Sequence, residues 1–239
     1  MIMQRWEKDM VRFMRDASEY GTYHQELANR LSPYLNKKMH ICDAGCGLGY
    51  LSLALAPHVA SVTGVERHPD ASAVLTENSR RLGIPNVIAR CGPIETTRPE
   101  RPYDAMVFCF FGGIGEILSI SREQCRGRVF IITRNYITHR FSVGEHRNGS
   151  YGRRTSRETL EKLGIPFEES TLSLEFGQPF RSFEDVRRFY EAYSMDADKT
   201  VITDEFLMDK LVRGEGVFPY YMPHRREAAI LTFESKDIP

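Results

Sequence analysis

The chain has 239 residues, of which 41% are hydrophobic, and it carries 32 acidic and 32 basic side chains. A net charge of zero and a pI near 7.1 exclude an overall basic field that would gather nucleic acid or an anionic membrane. Charged residues follow the N-terminus at once and no apolar run reaches membrane-spanning length, so the sequence predicts a cytoplasmic protein with no membrane partner.

Length and cysteine content bound the organisation of the chain. A chain of this size can form one large α/β domain, and we predict a single domain over residues 1–239 that buries about 70–75% of its unfolded surface. The 5 cysteines are an odd number, which suits a reducing compartment without disulfides. Cys42 and Cys46 lack the further ligands of a metal centre, so we predict no metal site.

Two amphipathic helices are predicted before the first strand. Apolar residues at helical spacing indicate one helix over residues 4–17 and another over residues 23–35. The residues that link them include Tyr20, Tyr23 and His24.

From Met39 onward, apolar runs alternate with amphipathic helices. Helices are predicted after Gly49 and over residues 70–82 and 114–124. Strands are predicted near residues 39–43, 59–65, 86–90, 104–110 and 128–133. Repeated β-α units with short links imply a parallel, doubly wound sheet of the α/β class.

The pattern changes after Thr133. Residues 134–157 contain many arginines and histidines against Glu145 alone, with three glycines, and we predict a basic, mobile loop. A helix over residues 156–163 and a strand over residues 170–176 follow.

The segment 178–223 precedes the last predicted strand, over residues 226–235. It is too long for a turn, and helices are predicted from Ser182 onward and over residues 204–212. We therefore predict a small helical cap inserted before the last strand.

The most informative motif lies between the first two strands. Gly45, Gly47 and Gly49 allow a tight turn from strand to helix and a close approach of a ligand. Asp43 at the strand tip would repel phosphate and attract a cation, such as the ammonium and sulfonium groups of S-adenosylmethionine. Glu66 ends the next strand, where a carboxylate can accept hydrogen bonds from ribose hydroxyls.

With these residues, the sequence resembles the class I S-adenosylmethionine-dependent methyltransferases. Their first motif, acid-x-Gly-x-Gly-x-Gly, matches Asp43 to Gly49, and their second-strand acid matches Glu66. The resemblance extends more loosely from about residue 34 to residue 134. It implies a seven-stranded Rossmann-like sheet in which the seventh strand lies between the fifth and the sixth.

The resemblance also assigns the cofactor site. In many related enzymes an N-terminal segment covers the cofactor, so residues 1–35 are predicted to form a helical lid; aromatic packing onto the core is an equal alternative for Tyr20, Tyr23 and His24. The predicted cofactor-binding residues are Asp43, Ala44, Gly45, Gly47, Glu66, Arg67, Pro93, Ile94, Phe108, Tyr20 and Tyr23.

After the third strand, the family often carries an acid that binds the adenine amino group. Pro93 stands at that position here, so we predict that backbone groups near Ile94 hold adenine, with Glu95 as an alternative.

The acceptor is expected at the end of the fourth strand, over residues 108–113. The family's Asn-Pro-Pro-Tyr element for methylating base amino groups is missing there, and the aromatic rings favour an apolar or flat acceptor, with core packing as the alternative. Beyond the fifth strand, Tyr136 and His139 are the predicted catalytic residues, with Arg140 available to bind an anionic group.

These observations predict a methyltransferase that uses S-adenosylmethionine and acts on a small-molecule acceptor in a capped pocket. The neutral charge argues against a nucleic-acid partner. One alternative is an RNA or protein methyltransferase that uses the basic loop 134–157, and another is a non-catalytic cofactor-binding module. The identity of the acceptor and the formation of a homodimer stay open.

Overall fold

The computed structural model describes residues 8–136, 141, 152–194 and 201–239. The chain divides into two compact units. The larger unit comprises residues 24–135, 150–172 and 227–239, and the smaller unit comprises residues 1–23, 136–149 and 173–226. The smaller unit includes most of the segments predicted as lid (1–35) and cap (178–223).

The described residues contain ten strands and eight α-helices. The strands are β1 (His40–Ala44), β2 (Ser61–Glu66), β3 (Val87–Cys91), β4 (Tyr103–Cys109), β5 (Cys125–Arg134), β6 (Glu168–Glu175), β7 (Gln178–Phe180), β8 (Val212–Arg213), β9 (Tyr220–Met222) and β10 (Arg225–Glu234). The helices are α1 (Lys8–Tyr20), α2 (Tyr23–Leu31), α3 (Tyr50–Leu55), α4 (Pro69–Arg81), α5 (Ile114–Gln124), α6 (Arg153–Leu163), α7 (Phe183–Tyr193) and α8 (Asp204–Met208).

A seven-stranded sheet has the order β3-β2-β1-β4-β5-β10-β6. Strands β1 to β5 pair in parallel, and β10 pairs antiparallel with β5. This confirms the doubly wound sheet, with the last strand between the fifth and the sixth. The central strands are largely apolar because helices cover both faces of such a sheet; Ile41, Cys42 and Phe108 are all fully buried.

The strand register positions the site. Ala44 is level with Val65 on one side and with Phe108 on the other. The carboxyl ends of β1, β2 and β4 therefore meet at one edge of the sheet, where ligands bind in open α/β folds.

The smaller unit differs from the predicted helical cap. It contains a three-stranded antiparallel sheet, β7-β9-β8, beside α7 and α8. The helix predicted over residues 204–212 ends at Met208, and Val212–Arg213 forms β8 instead. Period-based prediction missed these strands because each has only two or three residues, too few to show alternation.

Helix α1 shares a core with the inserted segment. The Phe13 ring lies 6.0 Å from the ring of Phe180 and 5.3 Å from that of Phe189. The Arg12 guanidinium donates two hydrogen bonds, of 2.9 and 2.6 Å, to the carboxylate of Asp185. Residues distant in sequence thus form one folded unit, and the predicted bounds of the lid and the cap stay predictions.

Part of the predicted catalytic region cannot be placed in the fold. His139, Arg140 and most of the basic loop 134–157 lie outside the described residues. Among the helices that the structure describes, none is long and apolar enough to cross a membrane.

Candidate cofactor-binding site

The loop that follows β1 is held close to β2. The N–H groups of Gly45 and Cys46 both donate to the carbonyl oxygen of Val65, at 2.8 and 3.0 Å. Gly45 has a φ of 68°, and a Cβ there would collide with the ring of Phe111. Both the left-handed backbone and the close approach of Phe111 therefore require glycine at this position.

The carboxylate of Glu66 fixes the next part of this loop. Its two oxygens accept hydrogen bonds from the backbone N–H of Gly47 at 2.9 Å and from that of His68 at 3.0 Å. The side chain is only 7% exposed. Glu66 therefore organises the loop and places a negative charge beside it.

Asp43 lies beneath the loop and is 1% exposed. Its Oδ2 accepts a 2.6 Å hydrogen bond from the Ser52 hydroxyl, whereas Oδ1 has no hydrogen-bond partner among the described residues. Burial raises the pKa of Asp43 from 3.8 to about 6; the Ser52 hydrogen bond opposes this rise and the charge of Glu66 adds to it. A cation near Oδ1 would stabilise the ionised form.

The turn after β4 lies at the same carboxyl edge of the sheet. Phe110 has a φ of 52°, uncommon for a residue with a side chain, and its N–H donates to the carbonyl of Ile132 at 2.8 Å. Phe108 is fully buried, with its ring 5.4 Å from that of Phe111. Phe111 rather than Phe108 is thus the ring against the glycine loop, although the cofactor role of Phe108 stays a prediction.

The segment after β3 is fixed by contacts with Arg67 and α5. The Ile94 carbonyl accepts a 2.8 Å hydrogen bond from Gln124 Nε2, and a guanidinium nitrogen of Arg67 lies 3.6 Å from a carboxylate oxygen of Glu95. Burial and the nearby Glu95 carboxylate raise the pKa of Glu116. The Ile94 carbonyl keeps a second lone pair after this bond, and the binding of adenine by backbone groups near Ile94, with Glu95 as the alternative, stays a prediction.

This part of the chain is similar in sequence to known proteins. The profile of a family described as "Methyltransferase domain" matches residues 35–125. A 60-residue segment is 42% identical to the 23S rRNA (uracil(1939)-C(5))-methyltransferase RlmD of Chromohalobacter salexigens, covering 25% of this chain and 13% of that protein. An 80-residue segment is 34% identical to a protein-L-isoaspartate O-methyltransferase of Methanoculleus marisnigri, covering 32% and 36%.

The fold is shared over a greater length. A solved structure of a candidate methyltransferase from Bacillus halodurans superposes with a TM-score of 0.57 at 16% identity, covering 88% of this chain and 98% of that one. Residues 35–125 therefore carry a methyltransferase domain. The matched segment spans less than half of each of the two curated relatives.

In this methyltransferase domain, most predicted cofactor residues lie along the carboxyl edge of the sheet. Asp43 and Ala44 end β1, Gly45 and Gly47 follow it, and Glu66 ends β2. Sequence reasoning missed Ser52, and it placed Phe111 in the segment 108–113 expected to meet the acceptor without predicting its contact with Gly45. The hydroxyl of Ser52 lies in the first turn of α3, directly after the glycine loop, and that position is a signal that could have drawn attention to it.

The predicted lid residues have packing partners in their own units. The Tyr20 ring stacks on Tyr221 at 4.9 Å, and the Tyr23 ring lies 4.5 Å from Phe176 within the smaller unit. His24 lies in the larger unit, 5.7 Å from the ring of Tyr50. These contacts favour the packing alternative; contact of Tyr20 and Tyr23 with a cofactor stays a prediction.

Of the two predicted catalytic residues, the structure describes Tyr136. It belongs to the smaller unit, within electrostatic range of Arg226 and Tyr193. Its catalytic role, like that of His139, stays a prediction.

Proposed function

We propose that this protein is an S-adenosylmethionine-dependent methyltransferase that acts on a small molecule in a capped pocket. The observation that carries the proposal is Asp43, a buried carboxylate with one unpaired oxygen at the sheet edge where the family places its cofactor. A dinucleotide would bring phosphates to this edge, and Asp43 at the end of β1 would repel them.

The residues present fit this cofactor. Asp43, Ala44, Gly45 and Gly47 would hold the methionine half, where the carboxylate can bind a cation. Glu66 would bind the ribose hydroxyls, because each of its oxygens keeps a lone pair after accepting one N–H. Arg67, Pro93, Ile94 and Phe108 would surround the adenine.

When bound, S-adenosylmethionine supplies an electrophilic methyl group. The protein then has to hold the acceptor in line with that group and exclude water, and such positioning contributes roughly 7–11 kcal/mol. No dedicated base is needed for this chemistry, although Tyr136 or His139 would be suitable if the acceptor must lose a proton.

Isothermal titration calorimetry tests the cofactor. We expect micromolar binding of S-adenosylmethionine and S-adenosylhomocysteine and no binding of NAD. Binding of NAD alone, or of none of the three, would contradict the proposal.

RNA methylation is the second candidate, supported by the similarity to an rRNA methyltransferase. Transfer of a radiolabelled methyl group to total RNA and to a small-molecule extract separates the two. Label in the small-molecule fraction supports the leading proposal. Label in RNA, with affinity that falls steeply as salt rises, would replace it with the second candidate.

A further inference from the structure

Strand β3 lies at one side of the seven-stranded sheet and pairs, among the described strands, with β2 alone. The N–H of Val62 in β2 donates to the carbonyl of Asn86 at 2.9 Å, and the N–H of Gly92 donates to the carbonyl at the end of β2 at 2.9 Å. Backbone groups alternate in direction along a strand, so the even-numbered residues face β2. Val87 and Ala89 therefore direct their backbone N–H and C=O groups outward.

A cleft of about 320 Å³ lies beside this outer side of β3, next to the last turns of α4. Both elements belong to the larger unit. The apolar residues of the cleft lining are Leu75, Ile84, Pro85, Val87 and Ala89. A further strand paired with β3 would place every second side chain on the face that bears the cleft. The cleft therefore fits the apolar side chains of an added strand.

The charged side chains of β3 and of the cleft lining are both positive. Arg80 is the charged residue of the lining, and Arg90 is that of β3. Both are exposed, and neither forms an ion pair with another residue that the structure describes. Because side chains alternate, Arg90 lies on the face opposite to the cleft, as does Ile88, which is 47% exposed. A second copy of the chain would bring like charges here, whereas an acidic segment is complementary.

We propose that β3 binds an acidic, extended segment of another protein by strand addition. The backbone of the segment pairs with Val87 and Ala89, its apolar side chains fill the cleft, and its acidic side chains pair with Arg80 and Arg90. This partner-binding surface goes beyond the proposed methyltransferase function and does not depend on it.

A blocked, fluorescently labelled peptide of sequence Ser-Thr-Glu-Leu-Val-Leu-Thr-Glu serves as the probe. In antiparallel pairing its first glutamate lies opposite Arg90 and its valine opposite Ile88, while both leucines and the last glutamate lie on the face of the cleft and Arg80. Fluorescence anisotropy measures its binding to the full chain. We expect micromolar affinity, and at least tenfold weaker binding of a control peptide with lysine in place of both glutamates. Absence of binding, or equal affinities of the two peptides, would overturn the inference.

A charge reversal tests the two arginines. We expect the double variant Arg80→Glu, Arg90→Glu to bind the glutamate peptide at least tenfold less tightly and to bind the lysine peptide instead. Arg122→Glu is the matched control, because Arg122 is exposed on α5 and outside the cleft lining. This control should keep the preference for the glutamate peptide. Equal losses in the double variant and the control would overturn the assignment.

Strand addition itself is tested on the unmodified protein, so the result does not depend on the folding of a variant. Methylation of the backbone nitrogens of both leucines in the peptide removes the donors that would pair with Val87 and Ala89 and leaves the charges unchanged. We expect at least tenfold weaker binding, and unchanged affinity would overturn strand addition. Sedimentation equilibrium of the protein alone tests the other occupant. A dimer that the glutamate peptide dissociates would make a second copy the occupant and overturn the acidic partner.

Discussion

The carboxylate of Glu66 at the end of β2 accepts a hydrogen bond from the backbone N–H of Gly47, 2.9 Å away in the loop after β1. This bond ties the glycine loop to the neighbouring strand. Glu66 thus has a structural task in addition to the ribose-binding role proposed for it, and its substitution should affect both stability and binding.

We expect Glu66→Ala to weaken S-adenosylhomocysteine binding by about 1.5–3 kcal/mol and to lower the free energy of unfolding by about 1–3 kcal/mol, because two backbone N–H groups lose their acceptor. Glu66→Gln keeps one acceptor oxygen and should lose less stability. Calorimetry and urea denaturation measure the two effects. An alanine variant with unchanged affinity would contradict the ribose assignment.

Asp43→Asn should weaken cofactor binding without lowering the stability of the folded protein. A pKa raised from 3.8 to about 6 means that the ionised carboxylate costs the folded protein about 3 kcal/mol above pH 6. Asparagine removes that cost and can still accept from Ser52, so we expect a folded variant that is at least as stable at pH 7.5 as the wild type. It should bind S-adenosylmethionine more than tenfold less tightly, while adenosine, which lacks the cation, should bind almost equally. Equal losses for the two ligands would count against the electrostatic role.

The same carboxyl predicts two pH dependences. The folded protein binds a proton at Asp43 between about pH 4 and pH 6 that the unfolded chain has released, so this group lowers stability as the pH rises through that window. Affinity for the cationic cofactor should change in the opposite direction and rise as Asp43 ionises near pH 6. Titrations with S-adenosylmethionine at pH 5, 6 and 7.5, with Asp43→Asn as the control, test this change in affinity. If the affinity of Asp43→Asn followed the wild-type pH profile, Asp43 would be ruled out as the cause of the pH dependence.

Gly45→Ala should destabilise the loop. A Cβ would meet the Phe111 ring at a residue whose φ is 68°, and each effect alone disfavours alanine. We expect a loss of 1–3 kcal/mol in unfolding free energy, on the order of other such strains, and at least tenfold weaker cofactor binding. Gly115→Ala is the matched control: it lies in α5 with open space around it and should stabilise the protein by roughly 0.5–1 kcal/mol. A Gly45 variant as stable as this control would show that the loop tolerates a side chain.

The sequence by itself determined the alternating strands and helices, the glycine loop and the acids at the ends of β1 and β2. These features depend on apolar periodicity and on backbone freedom, both of which are local properties of the chain. Asp43 and Glu66 could be placed at one edge because parallel strands end together.

Only the tertiary structure decided which groups surround those acids. Ser52 bonds to Asp43 and Phe111 packs on Gly45 because separate elements meet there; the position of Ser52 after the glycine loop draws attention to it but does not specify its partner. Likewise, Arg12 pairs with Asp185 across 173 residues, so that α1 joins the inserted segment in one unit. Such contacts depend on packing between residues that are far apart in the sequence, and local sequence patterns do not predict it.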